Sequence, residues 1–188
     1  MTQDDRINEE LIRNLFYSAF GVFLDKEVQN IIDGVSEMGL CGGLSKQIEN
    51  EAKNLGLNDY HPDVEYNRKQ NGQLKTMIND KMEVINIRCD LTLHSRGASI
   101  AQDNLLTIEM KKSNRPKAEK NGDRERLKAL TKTSFDDIWS KDGVAHPEHV
   151  CGYLLGVYLE LDTIRSIFRV EEYVEGRLWK KFESASLL

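Results

Sequence analysis

The sequence predicts one domain of the α/β or α+β class, and three observations lead there. The first third has helical periodicity, residues 84–93 alternate strictly between apolar and polar, and a charged helical stretch separates the later strand-like runs. A chain of 188 residues is long enough for a full hydrophobic core. With 39% hydrophobic and 30% charged residues, the composition is that of a folded chain rather than a disordered one.

Leu11, Ile12, Leu15, Phe16, Ala19, Phe20 and Phe23 recur at steps of three and four, which gives one apolar face of an amphipathic helix. A second helical stretch over residues 26–32 ends near Gly34. A third runs from Glu37 to about Leu55, with Ser36 placed to cap it and Leu40, Leu44 and Ile48 at helical spacing. Gly39, Gly42 and Gly43 weaken that helix, each by about 1 kcal/mol relative to alanine.

The character changes at Tyr60. Residues 63–67 form a short alternating run, and 68–83 are polar with an Asn71-Gly72 turn signal. In 84–93, Ile85, Ile87, Cys89, Leu91 and Leu93 fall on one face and Asn86, Arg88, Asp90 and Thr92 on the other, with His94 continuing the second face. Residues 95–104 are a polar loop, and 105–111 are the next strand, broken by Arg115-Pro116. Residues 123–132 read as a charged helix with Leu127, Ala129 and Leu130 as its apolar residues. Residues 152–161 are nearly all apolar, as in a buried central strand. A further strand is expected over 163–170, and the tail through Trp179 and Phe182 fits either strand or helix.

Cys41, Cys89 and Cys151 are odd in number and far apart, so they read as buried free thiols. His146 and His149 flank Pro147-Glu148 without a second ligand pair and read as loop residues rather than a zinc site. No apolar run approaches the roughly 20 residues that span a bilayer. The polar, acidic start lacks the basic and apolar parts of a secretory signal, so a cytoplasmic protein without membrane contact is expected. The net charge of −5 is unevenly placed. Residues 111–132 carry nine Lys/Arg and three acids, a local +6 that leaves −11 for the rest. Such a segment guides a polyanion or is simply a solvated helix face.

Chemistry concentrates in residues 88–94 and 105–112. Side chains alternate along a strand, so Glu109 and Lys111 share one face while Leu106, Ile108 and Met110 point into a core. Asp90 lies on the polar face of its own strand. If the two strands pair across the 95–104 loop, two carboxylates and an ammonium converge on one side of a sheet. That set suits metal-assisted phosphodiester hydrolysis. Two carboxylates hold a hard cation such as Mg²⁺ or Mn²⁺, and a lysine orients water or stabilises developing charge. The spacing alone is weakly specific, and by itself it favours an exposed sheet face with a cross-strand salt bridge over a site.

In order along the chain stand Ser36-Glu37, Glu65-Tyr66-Asn67-Arg68, Cys89-Asp90, His94-Ser95-Arg96-Gly97 and Glu109-Met110-Lys111-Lys112. This ordered set resembles the PD-(D/E)xK nuclease superfamily, more narrowly its small bacterial and phage-borne members, over about residues 30–160. Cys89 stands where the motif has proline. The resemblance implies a restriction-endonuclease-like core, a central mixed sheet of about four to five strands flanked by helices. Residues 1–35 would be an N-terminal helical extension and about 36–170 the core. It implies that Asp90 and Glu109 bind the metal with the Met110 carbonyl, that Lys111 is the catalytic lysine, and that Glu37 approaches from the first core helix. Glu37 also fits a plain helix-start acid. Glu65 supports the site or pairs with Arg68, and His94 sits at the site edge or serves only the fold. Lys112, Arg115, Lys117 and Lys120 would contact the phosphate backbone, which gives affinity without sequence preference.

The implied function is a metal-dependent deoxyribonuclease in phage defence, mobile-element biology or repair, with DNA as substrate. The rival is a catalytically inactive nuclease fold used as a nucleic-acid-binding or protein-interaction module. A homodimer and a protein partner are both compatible with the sequence.

Overall fold

The computed structural model describes residues 7–65, 76–78, 84–86, 88–98, 102–132 and 151–184. The expected motif residues Tyr66, Asn67 and Arg68, the Asn71-Gly72 turn, and His146 and His149 lie outside them. The elements are α1 (Glu9–Ile32), α2 (Glu37–Asn54), β1 (His61–Val64), β2 (Thr76–Ile78), β3 (Val84–Asn86), β4 (Leu91–His94), β5 (Asn104–Lys112), α3 (Lys117–Leu130), β6 (Leu155–Asp162), β7 (Ile167–Val174) and β8 (Arg177–Glu183).

The fold is α/β. A six-stranded mixed sheet has the order β1-β4-β5-β6-β7-β8, and β2-β3 form a separate pair. Among the described strands of this sheet, only β5 and β6 run parallel; the other neighbours are antiparallel. The expected four to five strands are too few, because β1 adds an edge on one side and the tail pairs as β8 on the other. The ambiguous tail therefore becomes a strand, an outcome set by pairing with β7 and not by its own pattern.

Helix α1 absorbs the stretch expected as a second helix, since nothing breaks it before Gly34, whose φ of +75 ends the turn. Ser36 caps α2 as expected, its Oγ accepting from the Gly39 N–H at 3.1 Å. The strand expected over 84–93 is divided. β3 pairs with β2, β4 joins the main sheet, and Arg88 and Cys89 between them are irregular. Cys89 packs with Ala129, Leu130 and Tyr153 in a small cluster of its own, away from the main core. The strand expected over 163–170 begins at Ile167, after a turn in which Ser166 takes φ +52. Helix α3 begins at Lys117, earlier than the apolar pattern suggests, because Pro116 with ψ 142 leaves the chain extended just before it.

The two sheet faces differ in chemistry. Register pairs Leu93 with Leu106, Leu106 with Leu155, Ile108 with Val157, and Met110 with Leu159. This apolar face is covered by α1 and α2, and Phe16, Phe20, Phe23, Leu40, Leu44 and Ile48 complete one core. The helix of the N-terminal stretch is thus part of the main core. The opposite face carries Thr107, Glu109, Lys111, Tyr158, Glu160, Glu171 and Tyr173, and α3 lies across it. The three cysteines are buried and free. Among the described residues, no helix is long and apolar enough to cross a membrane.

Candidate active site

The site arises where β5 outruns β4. Their ladder ends at the pair Leu91–Ile108, whereas β5 continues to Lys112 beside β6. Beyond that point the β5 N–H groups on this edge need partners other than a strand. Asp90 supplies one, its Oδ2 accepting from the Met110 N–H at 2.9 Å. Glu37 supplies the next, its Oε1 accepting from the Lys112 N–H at 2.9 Å. Two candidate acids are therefore positioned by backbone hydrogen bonds, which hold a carboxylate at a defined place.

Lys111 joins the acids. Its ammonium donates to Asp90 Oδ2 at 3.1 Å and to the Met110 carbonyl at 3.2 Å. It also lies 3.3 Å from Asp123 Oδ2 on α3. Glu109, fully buried on the same strand face, pairs with Arg126 Nη1 at 2.8 Å. Arg126 reaches Asp123 Oδ1 as well, at 3.2 Å from Nη2. The result is a cluster of three carboxylates and two cations between β4, β5 and α3.

Burial above all, then the charge of Asp90, pushes the Glu109 carboxyl well above its ordinary range, and Arg126 and Lys111 only partly offset this. Burial likewise raises Asp123, against the pull of Lys111 and Arg126. Burial would lower the Lys111 ammonium, but Asp90, Asp123 and Glu109 outweigh it and leave the group raised. Lys111 thus stays charged at neutral pH, and Glu109 is short of positive charge. Among the described residues its buried Oε2 has no hydrogen-bond partner, an arrangement that costs free energy unless a cation or donor meets it.

Asp90, Glu109 and Lys111 are therefore brought together, with the Met110 carbonyl beside them. Glu37 reaches the end of β5 from the α2 layer; among the described residues no hydrogen bond or ion pair joins it to Asp90, Glu109 or Lys111. Its oxygen also lies 3.7 Å from Arg115 Nε. Glu65 takes φ +53, donates its N–H to the Asp90 carbonyl at 3.1 Å, and pairs with Arg88 at 3.2 Å. It borders the site through its backbone. His94 stands at the far end of β4 from Asp90, buried, with Nε2 2.9 Å from Asp63 Oδ2.

The basic residues divide. A cleft of about 410 Å³ is lined by Ser36, Glu37, Lys112, Asn114, Arg115 and Pro116. Lys112 Nζ donates to the Gly34 carbonyl at 2.8 Å, and Arg115 pairs with Glu119 at 2.8 Å. Lys117 is exposed. Lys120 is held inside the fold by Glu160 at 3.0 Å and the Ser113 carbonyl at 2.6 Å.

Asp123 and Arg126 are site residues that sequence reasoning passed over. A signal was present: Asp123 precedes Leu127 by four and Leu130 by seven residues, so an acid sits on the apolar stripe of a helix. The carboxylates and the carbonyl are hard oxygen donors of the kind Mg²⁺ takes, since that ion is usually held by one or two carboxylates and keeps several waters. The orphaned Glu109 oxygen fits the same ion. Among the described residues, however, no group of three or more His, Cys, Asp or Glu side chains is arranged to hold a metal. Lys111 and Arg126 lie on the acids instead. No family model, no curated protein and no solved structure matches the chain.

Proposed function

We propose that the chain is a nuclease of the PD-(D/E)xK type, with a restriction-endonuclease-like core, that hydrolyses DNA phosphodiester bonds with Mg²⁺ or Mn²⁺. The observation that carries the reading is the convergence of Asp90, Glu109 and Lys111, with Lys111 Nζ 3.1 Å from Asp90 Oδ2 and an oxygen of the buried Glu109 that has no hydrogen-bond partner among the described residues. Asp90, Glu109 and the Met110 carbonyl are the groups that would hold the cation. When bound, that cation supplies acidified water and neutralises charge on the phosphoryl oxygens.

The chain's own residues do the rest. Asp90, fixed by the Met110 N–H, keeps its carboxylate at the edge of β5. Lys111 remains protonated and donates toward the attacking water or the developing oxyanion. The cleft at Lys112 and Arg115 receives the neighbouring phosphate backbone, and Lys117 extends that track. Lys120, engaged with Glu160, contributes to α3 docking more directly than to such a track.

One specific observation favours a second reading, an inactive nuclease fold acting as a binding module: each of the three carboxylates already has a cationic partner within the chain. Cleavage of single- and double-stranded DNA with Mg²⁺ or Mn²⁺ separates the two. We expect wild type to cut and Asp90→Ala and Lys111→Ala to lose cleavage by a factor of roughly 100 or more while keeping the wild-type circular dichroism. Cleavage by either mutant at the wild-type rate removes that residue from the mechanism. No metal-dependent cleavage by wild type selects the binding module.

A further inference from the structure

Helix α3 is fastened to the sheet by charge as well as by Leu127. Lys120 pairs with Glu160 at 3.0 Å, and Arg124 grips Glu171 at 2.7 Å with its guanidinium 4.1 Å above the Tyr158 ring. Arg126 differs from both in its partner. Glu109 has no exposure at all, and its second oxygen has no hydrogen-bond partner among the described residues. Arg126 itself keeps 22% of its side chain open to solvent. Nη1 divides itself among Glu109 Oε1 at 2.8 Å, Asp123 Oδ1 at 3.3 Å and the Arg88 carbonyl at 3.4 Å, while Nη2 holds Asp123 alone at 3.2 Å. The guanidinium therefore has a second seat one helical turn away, on its own helix.

We propose that Arg126 is the resident counter-cation of the carboxylate site, holding Glu109 until a divalent cation takes its place and then resting on Asp123 and solvent. The proposal builds on the metal-dependent reading above and adds how the site is regulated. A buried carboxylate needs a positive partner, and a guanidinium fills that need in the absence of metal. Two cations on one buried carboxylate repel, so a divalent ion taken up at the open Oε2 weakens the hold of Arg126 on Oε1. The arrangement accounts for acids that converge without forming a metal cage: a side chain of the protein stands between them. Arg126 thus sets a threshold, because metal binds more tightly to the fraction of molecules in which Glu109 has been released.

The test is titration of the full chain with Mn²⁺, comparing wild type, Arg126→Gln and the double variant Arg126→Gln/Glu109→Gln, with thermal unfolding measured alongside. Arg126→Gln should bind Mn²⁺ roughly tenfold more tightly than wild type. It should melt lower without metal and regain that loss on adding Mn²⁺. The double variant should show no such gain. Binding by Arg126→Gln that equals or falls below wild type overturns the proposal and leaves the metal-dependent reading intact. Absence of binding by every protein overturns both. Should Arg126→Gln not fold, wild type alone decides the matter. Exchange of the Arg126 guanidinium protons, followed by NMR, should accelerate when Mg²⁺ is added, and an unchanged rate refutes the idea.

Discussion

Glu109 and Glu171 lie in one row of the sheet, on either side of Tyr158, yet their carboxyls shift in opposite directions. Burial dominates at Glu109 and raises it. Burial also opposes ionisation at Glu171, but hydrogen bonds from Arg124, Lys181 and Tyr173 outweigh it and bring that carboxyl down to about 2. The signs of the two linkages differ accordingly. Glu171 binds a proton less readily folded than unfolded, so its stabilisation is present above the ordinary glutamate value of about 4.3 and is lost as pH falls toward 2. Urea unfolding at pH 7 and pH 3 should show this loss in wild type, and Glu171→Gln should flatten it. An unchanged pH slope in that variant would show that the Arg124–Glu171 pair contributes nothing. Glu109 acts the other way: its folded form holds the proton more tightly, and its cost grows as pH rises from about 4.3 toward the raised value. A group whose ionised form is costly in the fold is one that a bound cation stabilises.

At the scale of elements, α3 carries Asp123 and Arg126, so the seating of this helix sets the site geometry. Its C-terminal end meets β6 at Gly156. A Cβ there would approach Thr131 Cγ2 to 2.9 Å and Tyr173 Cβ to 3.3 Å. Thr131 is not free to yield, because its hydroxyl donates to the Leu127 carbonyl at 2.9 Å and accepts from the Gly176 N–H at 3.2 Å. Gly156→Ala should therefore destabilise by about 1–3 kcal/mol, read as a lowered urea midpoint at unchanged slope. A midpoint equal to wild type would mean that α3 adjusts without cost. Leu127, fully buried with Tyr158 and Tyr173, is the apolar counterpart. Leu127→Ala should cost about 2–5 kcal/mol.

Across the whole molecule, one core binds the α1–α2 layer to the sheet. Glu172 of β7 receives Arg13 at 2.6 Å and the Tyr17 hydroxyl at 2.5 Å, adding a polar tie beneath the aromatic row of α1. Phe16, with no exposure, stacks on Phe20 at 5.5 Å. Phe16→Ala should cost about 3–5 kcal/mol while preserving a single unfolding transition, because helix and sheet share that core. Separate transitions for helices and sheet would contradict it. The charge asymmetry acts at this scale as well. If DNA is bound through Lys112, Arg115 and Lys117, three phosphates are neutralised, and log affinity should fall with log salt at a slope of about −2 to −3. A slope near zero would deny the basic track any role. Lys120→Ala should leave the slope unchanged and lower stability instead, since Glu160 and Ser113 already hold its ammonium.

Local pattern alone determined much of this protein. Alternation placed Glu109 and Lys111 on one face and Met110 on the other, and the i, i+3, i+4 repeat of α1 marked its buried face before any packing was known. Those properties belong to neighbours in sequence, where the backbone period dictates direction. What only the tertiary structure decided concerns groups far apart in the chain. Asp90 caps a β5 N–H because β4 begins one residue after it, which alternation over 84–93 conceals by running unbroken. Glu37 reaches Lys112 across layers. Arg126 finds Glu109 because α3 crosses the polar face at one particular height. The tail becomes β8 because β7 offers it an edge. In each case the deciding energy is the pairing of a backbone or charged group that burial would otherwise leave unsatisfied, and such a debt appears only when the chain has folded back on itself.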